Sequence, residues 1–322
     1  MSFRVLITDR AWPDCQIEQD ILREVDAEIV EAPSGDEATL VELARDVDAI
    51  GTCWAPVTEA VISASPRCRV ISRFGIGLDN IHVPTATARK IPVTFVPDYC
   101  LAEVAEHTLA LLFACARNIG FFHHRTKQGE YALQAAPTMH RITGRTLGLL
   151  GFGRIGQAVA ERAVALGLNV IAHSRSGRSP LASVRMVDLP TLLRESDYLS
   201  LHLPLTAASR GIIRLPQLEQ MRPGAFLINT SRGALVDPQD LWTALERNLI
   251  AGAALDVFEP EPPDLSLPLY RDERVIVTPH AAFLSAESLV ELRTRAARNI
   301  ADVLAGRRPE HIANPEVLAD SI

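Results

Sequence analysis

Thr146-Leu147-Gly148-Leu149-Leu150-Gly151-Phe152-Gly153-Arg154-Ile155-Gly156 is the stretch that decides the fold. A short apolar run reads as a buried strand. Three glycines follow, and the pattern Ile155–Leu166 reads as a helix. Gly151 permits a tight turn, Gly153 lets backbone approach a ligand, and Gly156 lets helix and strand pack closely. The helix N-terminus then faces negative charge. With strand, loop, helix and next strand in order, the stretch predicts a dinucleotide-binding loop.

The same rhythm runs outward in both directions. Upstream, strands are predicted over Phe3–Thr8, Glu28–Glu31, Ala49–Cys53, Val70–Ser72 and Val93–Val96, with helices over Cys15–Val25, Glu37–Arg45 and Pro84–Lys90. A long helical pattern, Cys100–Asn118, precedes a loop-like stretch, Gln128–Arg145. Downstream, strands at Asn169–Ala172, Tyr198–Leu203, Ala225–Asn229, Ala251–Val257 and Val275–Val277 alternate with helices at Leu189–Glu195, Leu215–Gln220 and Gln239–Asn248. A final helix, Ala286–Leu304, follows. Alternating strands and helices predict mostly parallel sheets covered on both faces. A chain of 322 residues is about twice a typical domain, so two such α/β units are expected, meeting near residue 98. Periodicity does not say which unit the final helix joins.

Composition narrows the class. Hydrophobic residues at 48% and charged residues at 22% fit a globular protein and exclude a disordered one. With 32 Lys and Arg against 39 Asp and Glu, the net charge of −7 gives no footprint for nucleic acid. The apolar run Leu109–Ala116 is far shorter than the ~20 residues that span a bilayer, so no membrane partner is expected. The N-terminus reads as a first strand rather than a signal peptide. Five cysteines without a C-x-x-C pair read as buried reduced thiols of a cytoplasmic protein. His123, His124 and His140 fit no zinc spacing, so no metal is expected. Glu103 and His107, four residues apart on one helix face, read as a local ion pair.

The end of the strand Asn169–Ala172 bears on which dinucleotide binds. A carboxylate there would chelate the ribose hydroxyls of NAD. This chain reads His173-Ser174-Arg175-Ser176-Gly177-Arg178, with no carboxylate before Asp188. Ser174, Arg175, Ser176 and Arg178 suit a 2′-phosphate, because guanidinium pairs with phosphate in a charge-assisted, bidentate way. NADP(H) is therefore the preferred cofactor, with NAD(H) possible.

Three charges fall just past strands of the second unit: Arg232 after Asn229-Thr230-Ser231, Glu261 after Asp256-Val257-Phe258, and His280 after Thr278-Pro279. Parallel sheets carry their sites at the carboxyl ends of strands. An Arg that polarises a 2-keto acid, a His that gives a proton to the carbonyl oxygen, and a Glu that orients the His suit hydride transfer.

Taken together, Gly151–Gly156, Asn229–Gly233, Ala254–Pro262 and Thr278–His280 resemble the D-isomer-specific 2-hydroxy-acid dehydrogenases, and so does Arg73-Phe74-Gly75-Ile76-Gly77-Leu78-Asp79-Asn80. The resemblance spans nearly the whole chain. It implies a catalytic Arg232–Glu261–His280 triad, choosing Glu261 over Glu259 by its spacing from the arginine. For the substrate carboxylate it implies backbone N–H groups around Gly75, Ile76 and Gly77, with Arg73 and Phe283 facing the substrate. It implies that Asp256 meets the nicotinamide carboxamide. Arg154, Ile155, Pro204, Thr230 and Ser231 complete the expected cofactor set. The implied fold is two Rossmann-like, doubly wound parallel-sheet domains: a discontinuous substrate domain, 1–98 plus 285–322, and a dinucleotide domain, 99–284. A homodimer is the family's expectation.

Asp98-Tyr99-Cys100, Glu103–His107 and His280–Phe283 resemble the branch containing the C-terminal-binding proteins, corepressors built on the dehydrogenase fold. This chain carries Ser174 where that branch has Asp and Phe283 where it has Trp. Glyoxylate, hydroxypyruvate and glycerate reductases are the other candidates. The reading is an oxidoreductase that moves hydride between NADP(H) and a small 2-keto or D-2-hydroxy acid. The alternative is a nucleotide-sensing binding protein with incidental turnover.

Overall fold

The computed structural model describes residues 2–135 and 137–321. Twelve strands and twelve α-helices are assigned among them. In chain order they begin β1 (Phe3–Ile7), α1 (Gln16–Leu22), β2 (Ala27–Glu31), α2 (Glu37–Ala44), β3 (Ala49–Thr52), α3 (Glu59–Ser63), β4 (Val70–Arg73), α4 (Val83–Ala88) and β5 (Val93–Thr94). Next come α5 (Leu101–Ala116), α6 (Ile119–Lys127), β6 (Thr146–Leu150), α7 (Arg154–Ala165), β7 (Asn169–His173), β8 (Val184–Met186), α8 (Leu189–Glu195) and β9 (Tyr198–Leu201). The rest are α9 (Leu215–Leu218), β10 (Phe226–Asn229), α10 (Pro238–Glu246), β11 (Gly252–Leu255), α11 (Pro268–Arg271), β12 (Val275–Val277) and α12 (Ala286–Leu304).

The chain divides into two compact units, Met1–Tyr99 with Ser285–Ile322, and Cys100–Leu284. In the first, five parallel strands run in the order β2-β1-β3-β4-β5. Every residue of β3 and β4 is buried, as strands covered on both faces require. The helix α12 belongs to this unit. Ser72 Oγ donates to Ala296 O at 3.1 Å. The Arg293 guanidinium makes a two-pronged pair with buried Glu18, Nε to Oε1 and Nη2 to Oε2 both at 2.8 Å, and lies 5.3 Å from the Trp12 ring. Arg293 also reaches Asp14 Oδ1 at 3.1 Å, so the costly loss is that of Arg293, which strands the buried Glu18 charge at ~3–5 kcal/mol.

In the second unit, seven parallel strands run in the order β12-β11-β10-β9-β6-β7-β8. Two apolar cores cover the two faces. One holds Leu201, Leu227 and Leu255, and the other holds Leu149, Val159 and Ala254.

Four elements go beyond the sequence expectation: α3, α6, β8 and the four-residue α11. α3 is five residues long, and β8 is a three-residue edge strand. α6 is separated from α5 by Asn118, at φ +48°, which ends the expected helix early. Ion pairs from Arg125 to Glu130 (2.9 Å) and to Glu273 (2.8 Å) hold α6. Glu273 is distant in sequence, so no local reading finds it. Several strands are shorter than expected, among them those that end at Thr94, Leu201 and Leu255. All five cysteines are buried and outside any disulfide, and burial pushes the Cys53, Cys68 and Cys115 thiols up to about 12.

Candidate active site

Because all seven strands of the second unit are parallel, the segments that follow β6, β9, β10, β11 and β12 leave the same edge of one sheet. Neighbouring strands β10, β11 and β12 bring three of them side by side.

After β10, buried Asn229 folds the turn. Its Oδ1 accepts from Ser231 N at 3.1 Å, and its Nδ2 donates to Arg232 O at 2.8 Å. Ser231 Oγ donates to Leu201 O at 2.5 Å, tying the turn to β9. The Thr230 and Thr108 hydroxyls meet at 2.9 Å. Arg232 is half-buried, and its Nη1 donates to Ser231 O at 2.8 Å. A Cβ on Gly233 would sit 2.0 Å from Phe258 C, so the turn bearing Arg232 abuts the loop after β11.

That loop carries Glu261. Its Oε1 accepts from Phe258 N at 2.8 Å, and its Oε2 faces His280 Nδ1 at 2.7 Å. A carboxylate oxygen accepts, so Nδ1 donates and Nε2 is the nitrogen turned away from Glu261. His280 sits at φ +53°, a strained value for a residue with a Cβ, costing of order 1–3 kcal/mol. The surroundings that enforce it centre on Asp256, which is 0% exposed. Its backbone O accepts from His280 N at 2.8 Å. Its Oδ1 accepts from Thr278 Oγ1 at 2.6 Å and Ala281 N at 2.9 Å, and its Oδ2 from Ala282 N at 2.9 Å. Burial works to raise the Asp256 carboxyl. Hydrogen bonds from His107, Thr278, Ala281 and Ala282 outweigh it and hold the group below the ordinary carboxylate value. Phe283 lies edge-on to His280, with ring centroids 6.1 Å apart.

The residues read from sequence for the cofactor lie along the same edge. Gly151 has φ +99°, and a Cβ there would lie 2.2 Å from His202 O. Only glycine fits that turn. Gly153 caps α7 and is exposed, and a Cβ added to it would meet nothing within 4 Å. Open space at a helix N-terminus, with backbone N–H groups facing outward, fits a pyrophosphate. Arg154 is exposed and Ile155 half-buried in the first turn. After β7, the chain turns tightly at Ser174–Gly177, where Gly177 N donates to Ser174 O at 3.1 Å. The Ser174 and Ser176 hydroxyls are 3.2 Å apart, and Arg175 and Arg178 are exposed. Pro204 is exposed after β9. Among the described residues no three His, Cys, Asp or Glu side chains gather in a metal-binding arrangement.

In the first unit, the stretch after β4 carries the residues expected at the substrate. Arg73 is buried, and its Nε donates to Gly77 O at 2.9 Å while Nη1 donates to Phe74 O. The guanidinium thus braces the backbone of the loop containing Gly75, Ile76 and Gly77. Gly75 is buried, with its α-carbon against that guanidinium.

Two residues of this region go beyond the set of site residues read from sequence. Thr278 stands inside the quoted motif without a role of its own, and His107 reads locally as the partner of Glu103. In the structure His107 Nε2 reaches Thr278 Oγ1 at 3.1 Å and lies 3.5 Å from Asp256 Oδ1. Its only sequence signal is a polar residue on the apolar face of α5.

Residues 109–282 match the family model described as D-isomer specific 2-hydroxyacid dehydrogenase, NAD binding domain. A glyoxylate reductase of Korarchaeum cryptofilum is 37% identical over 295 residues, 89% of each chain. A hydroxypyruvate reductase of Thermotoga maritima is 38% identical over 252 residues, 77% of this chain and 82% of that one. The solved NADPH-dependent glyoxylate/hydroxypyruvate reductase of Sinorhizobium meliloti, in complex with NADP and malonate, superposes with a TM-score of 0.86 at 30% identity, covering 97% of both chains. Relatives named as reductases do not favour the nucleotide-sensing alternative. Fold, strand-end chemistry and relatives agree: the chain belongs to the D-isomer specific 2-hydroxyacid dehydrogenase family and is an oxidoreductase of 2-hydroxy acids.

Proposed function

We propose that this enzyme is an NADP(H)-preferring reductase of glyoxylate, hydroxypyruvate or a similarly small 2-keto acid, with Arg232, Glu261 and His280 as its catalytic residues. The observation that carries the catalytic reading is the 2.7 Å contact between Glu261 Oε2 and His280 Nδ1, on a loop abutting the turn of Arg232. A bound nicotinamide supplies or accepts the hydride. Gly151, Gly153, Arg154, Ile155 and Gly156 would hold its pyrophosphate, and Pro204, Thr230 and Ser231 would line the rest of its path. Asp256, expected at the carboxamide, is fully buried with its carboxylate spent on Thr278, Ala281 and Ala282, and so acts by holding that segment. The Arg232 guanidinium binds the keto acid and polarises its carbonyl. His280, with Nδ1 engaged by Glu261, gives the proton on Nε2 to the carbonyl oxygen as the hydroxy acid forms. Glu261 fixes the ring's tautomer and its aim through the bond to Nδ1.

The cofactor preference rests on the turn Ser174–Arg178, with two hydroxyls, two exposed arginines and no carboxylate. The Sinorhizobium meliloti relative, solved with NADP, supports it. The test is kcat/KM for a panel of 2-keto acids with NADPH and with NADH. A clear NADPH preference with glyoxylate or hydroxypyruvate supports the reading. A tenfold preference for NADH overturns the cofactor assignment, and silence towards every keto acid overturns the substrate class.

The reading extends to a cytoplasmic homodimer. Among the described residues no helix is long and apolar enough to cross a membrane. Five buried thiols outside any disulfide suit a reducing compartment. Tyr131 and Leu133 stand 94% and 81% exposed on the segment after α6, an apolar display that a second copy of the chain would cover. Light scattering of the native protein tests this; a monomeric mass refutes it.

A further inference from the structure

We propose that His107, on α5, is a positioning residue for His280, acting through Thr278 and Asp256. The inference rests on the reading of His280 as the acid–base group.

Asp256 carries an ionised carboxylate that only accepts. Thr278 Oγ1, 2.6 Å from Asp256 Oδ1, must therefore spend its single hydrogen on that oxygen. What remains on Thr278 Oγ1 is acceptor capacity, and His107 Nε2 stands 3.1 Å from it. His107 must then donate from Nε2, which fixes its tautomer. A directed chain results: His107 Nε2–H to Thr278 Oγ1–H to Asp256 Oδ1. The same imidazole edge lies 3.5 Å from Asp256 Oδ1, so it also faces the buried negative charge directly.

The carboxylate at the end of this chain holds the segment on which His280 sits. Ala281 N and Ala282 N donate to it, and His280 N donates to the backbone oxygen of the same residue. His280 is held at φ +53°, where a side-chain-bearing residue stays only if its neighbours leave no alternative. Asp256 is 0% exposed, so a donor lost from its cluster is not replaced by bulk water. Without the His107 donor, the Thr278 hydroxyl still donates to Asp256 but loses the partner that strengthens that bond and holds Thr278 from the other side. The 278–282 segment then relaxes, and the Nε2 of His280 is misaimed. Because His107 touches Thr278 and Asp256 rather than the reacting atoms, its loss lowers kcat and leaves substrate KM nearly unchanged.

The test compares His107→Leu, His107→Gln, Thr278→Val and His280→Ala in the intact enzyme. Turnover is followed with NADPH and glyoxylate or hydroxypyruvate, and each variant is checked for its melting temperature. His107→Leu should lower kcat about tenfold, the rate equivalent of one hydrogen bond, with substrate KM within about threefold of wild type. His107→Gln keeps an N–H near the Nε2 position and should recover most of that loss. Thr278→Val, which breaks the chain one link later, should match His107→Leu and keeps the idea testable if the leucine variant does not fold. Wild-type kcat in His107→Leu, beside a dead His280→Ala, overturns the inference and leaves the role of His280 standing. A glutamine variant as slow as the leucine variant also overturns it, because bulk rather than a donor would then matter. An active His280→Ala variant removes the acid–base reading and this inference with it.

Discussion

Replacing Glu261 by Gln changes one oxygen to an amide nitrogen and almost nothing else in shape. The structure gives the carboxylate two jobs: Oε1 accepts from Phe258 N at 2.8 Å, and Oε2 accepts from His280 Nδ1 at 2.7 Å. An amide has one accepting oxygen, so only one job survives. If that oxygen stays with Phe258, the NH2 faces Nδ1, forcing the ring proton onto Nε2 and removing the negative partner of the imidazolium. If it turns to His280, the NH2 opposes the Phe258 N–H and leaves that donor unpaired, at about 1–3 kcal/mol. In both orientations the charge-assisted bond is gone. Such a bond is worth roughly 1.5–3 kcal/mol, which corresponds to about a 10- to 150-fold loss in kcat at 1.4 kcal/mol per decade. The two side chains are 25% and 31% exposed, so solvent screening puts the expected loss in the lower half of that range. Cofactor binding, followed by quenching of protein fluorescence, should not change, because neither oxygen belongs to the nucleotide loop. The assay is initial-rate oxidation of NADPH with glyoxylate and with hydroxypyruvate at saturating cofactor. A folded Glu261→Gln enzyme turning over within twofold of wild type would show that the Glu261–His280 bond does not support turnover.

Three further outcomes are expected. Arg232→Ala should keep cofactor affinity and lose at least ~10²-fold in kcat/KM for every keto acid, the scale of one lost oxyanion donor; unchanged turnover removes Arg232 from the mechanism. Gly151→Ala should lower the melting temperature by at least about 4 °C and raise the KM for cofactor, because its Cβ would sit 2.2 Å from the His202 backbone oxygen. A variant with wild-type stability would mean that this turn relaxes at no cost. Asp256→Asn loses a stabilisation that exists only while the folded carboxyl is ionised. Its folded pKa lies below the ordinary value, so the contribution is complete above about pH 4–5 and is lost as pH falls through the folded pKa. The gap in melting temperature between wild type and Asp256→Asn should be level from pH 8 to 5 and shrink below pH 4; a gap that widens on acidification contradicts it.

Much of the second unit is readable one residue at a time. Glycine spacing marks the turn after β6, because a tight strand-to-helix connection admits few residue types. The charges Arg232, Glu261 and His280 stand out because each follows an apolar strand, and strand ends are where a parallel sheet exposes side chains. A local reading pairs His107 with Glu103 and cannot find Thr278 or Asp256, because a helix pattern reports i,i+4 neighbours and not the strand ends packed across from it. Arg73 is expected from sequence to face a substrate; the structure also gives its guanidinium two backbone carbonyls of its own loop, Phe74 and Gly77. Short pieces such as β8 and α3 carry too few residues for periodicity to register.

The sequence alone determined the alternation of strands and helices, the phosphate-type turn at Gly151–Gly156, the basic turn at 174–178 and the three strand-end charges. All of these are local: they depend on residue type, spacing and order along the chain. Tertiary structure decided what depends on contacts between distant segments. It set the sheet orders and put α12 in the first unit, where Arg293 meets Glu18. It brought Glu261 to His280, nineteen residues on, and closed His107, Thr278 and Asp256 into one hydrogen-bonded chain that ends on the Asp256 carboxylate. The physical reason is the same throughout. A periodic pattern says which face of an element is apolar, but only packing says what that face meets.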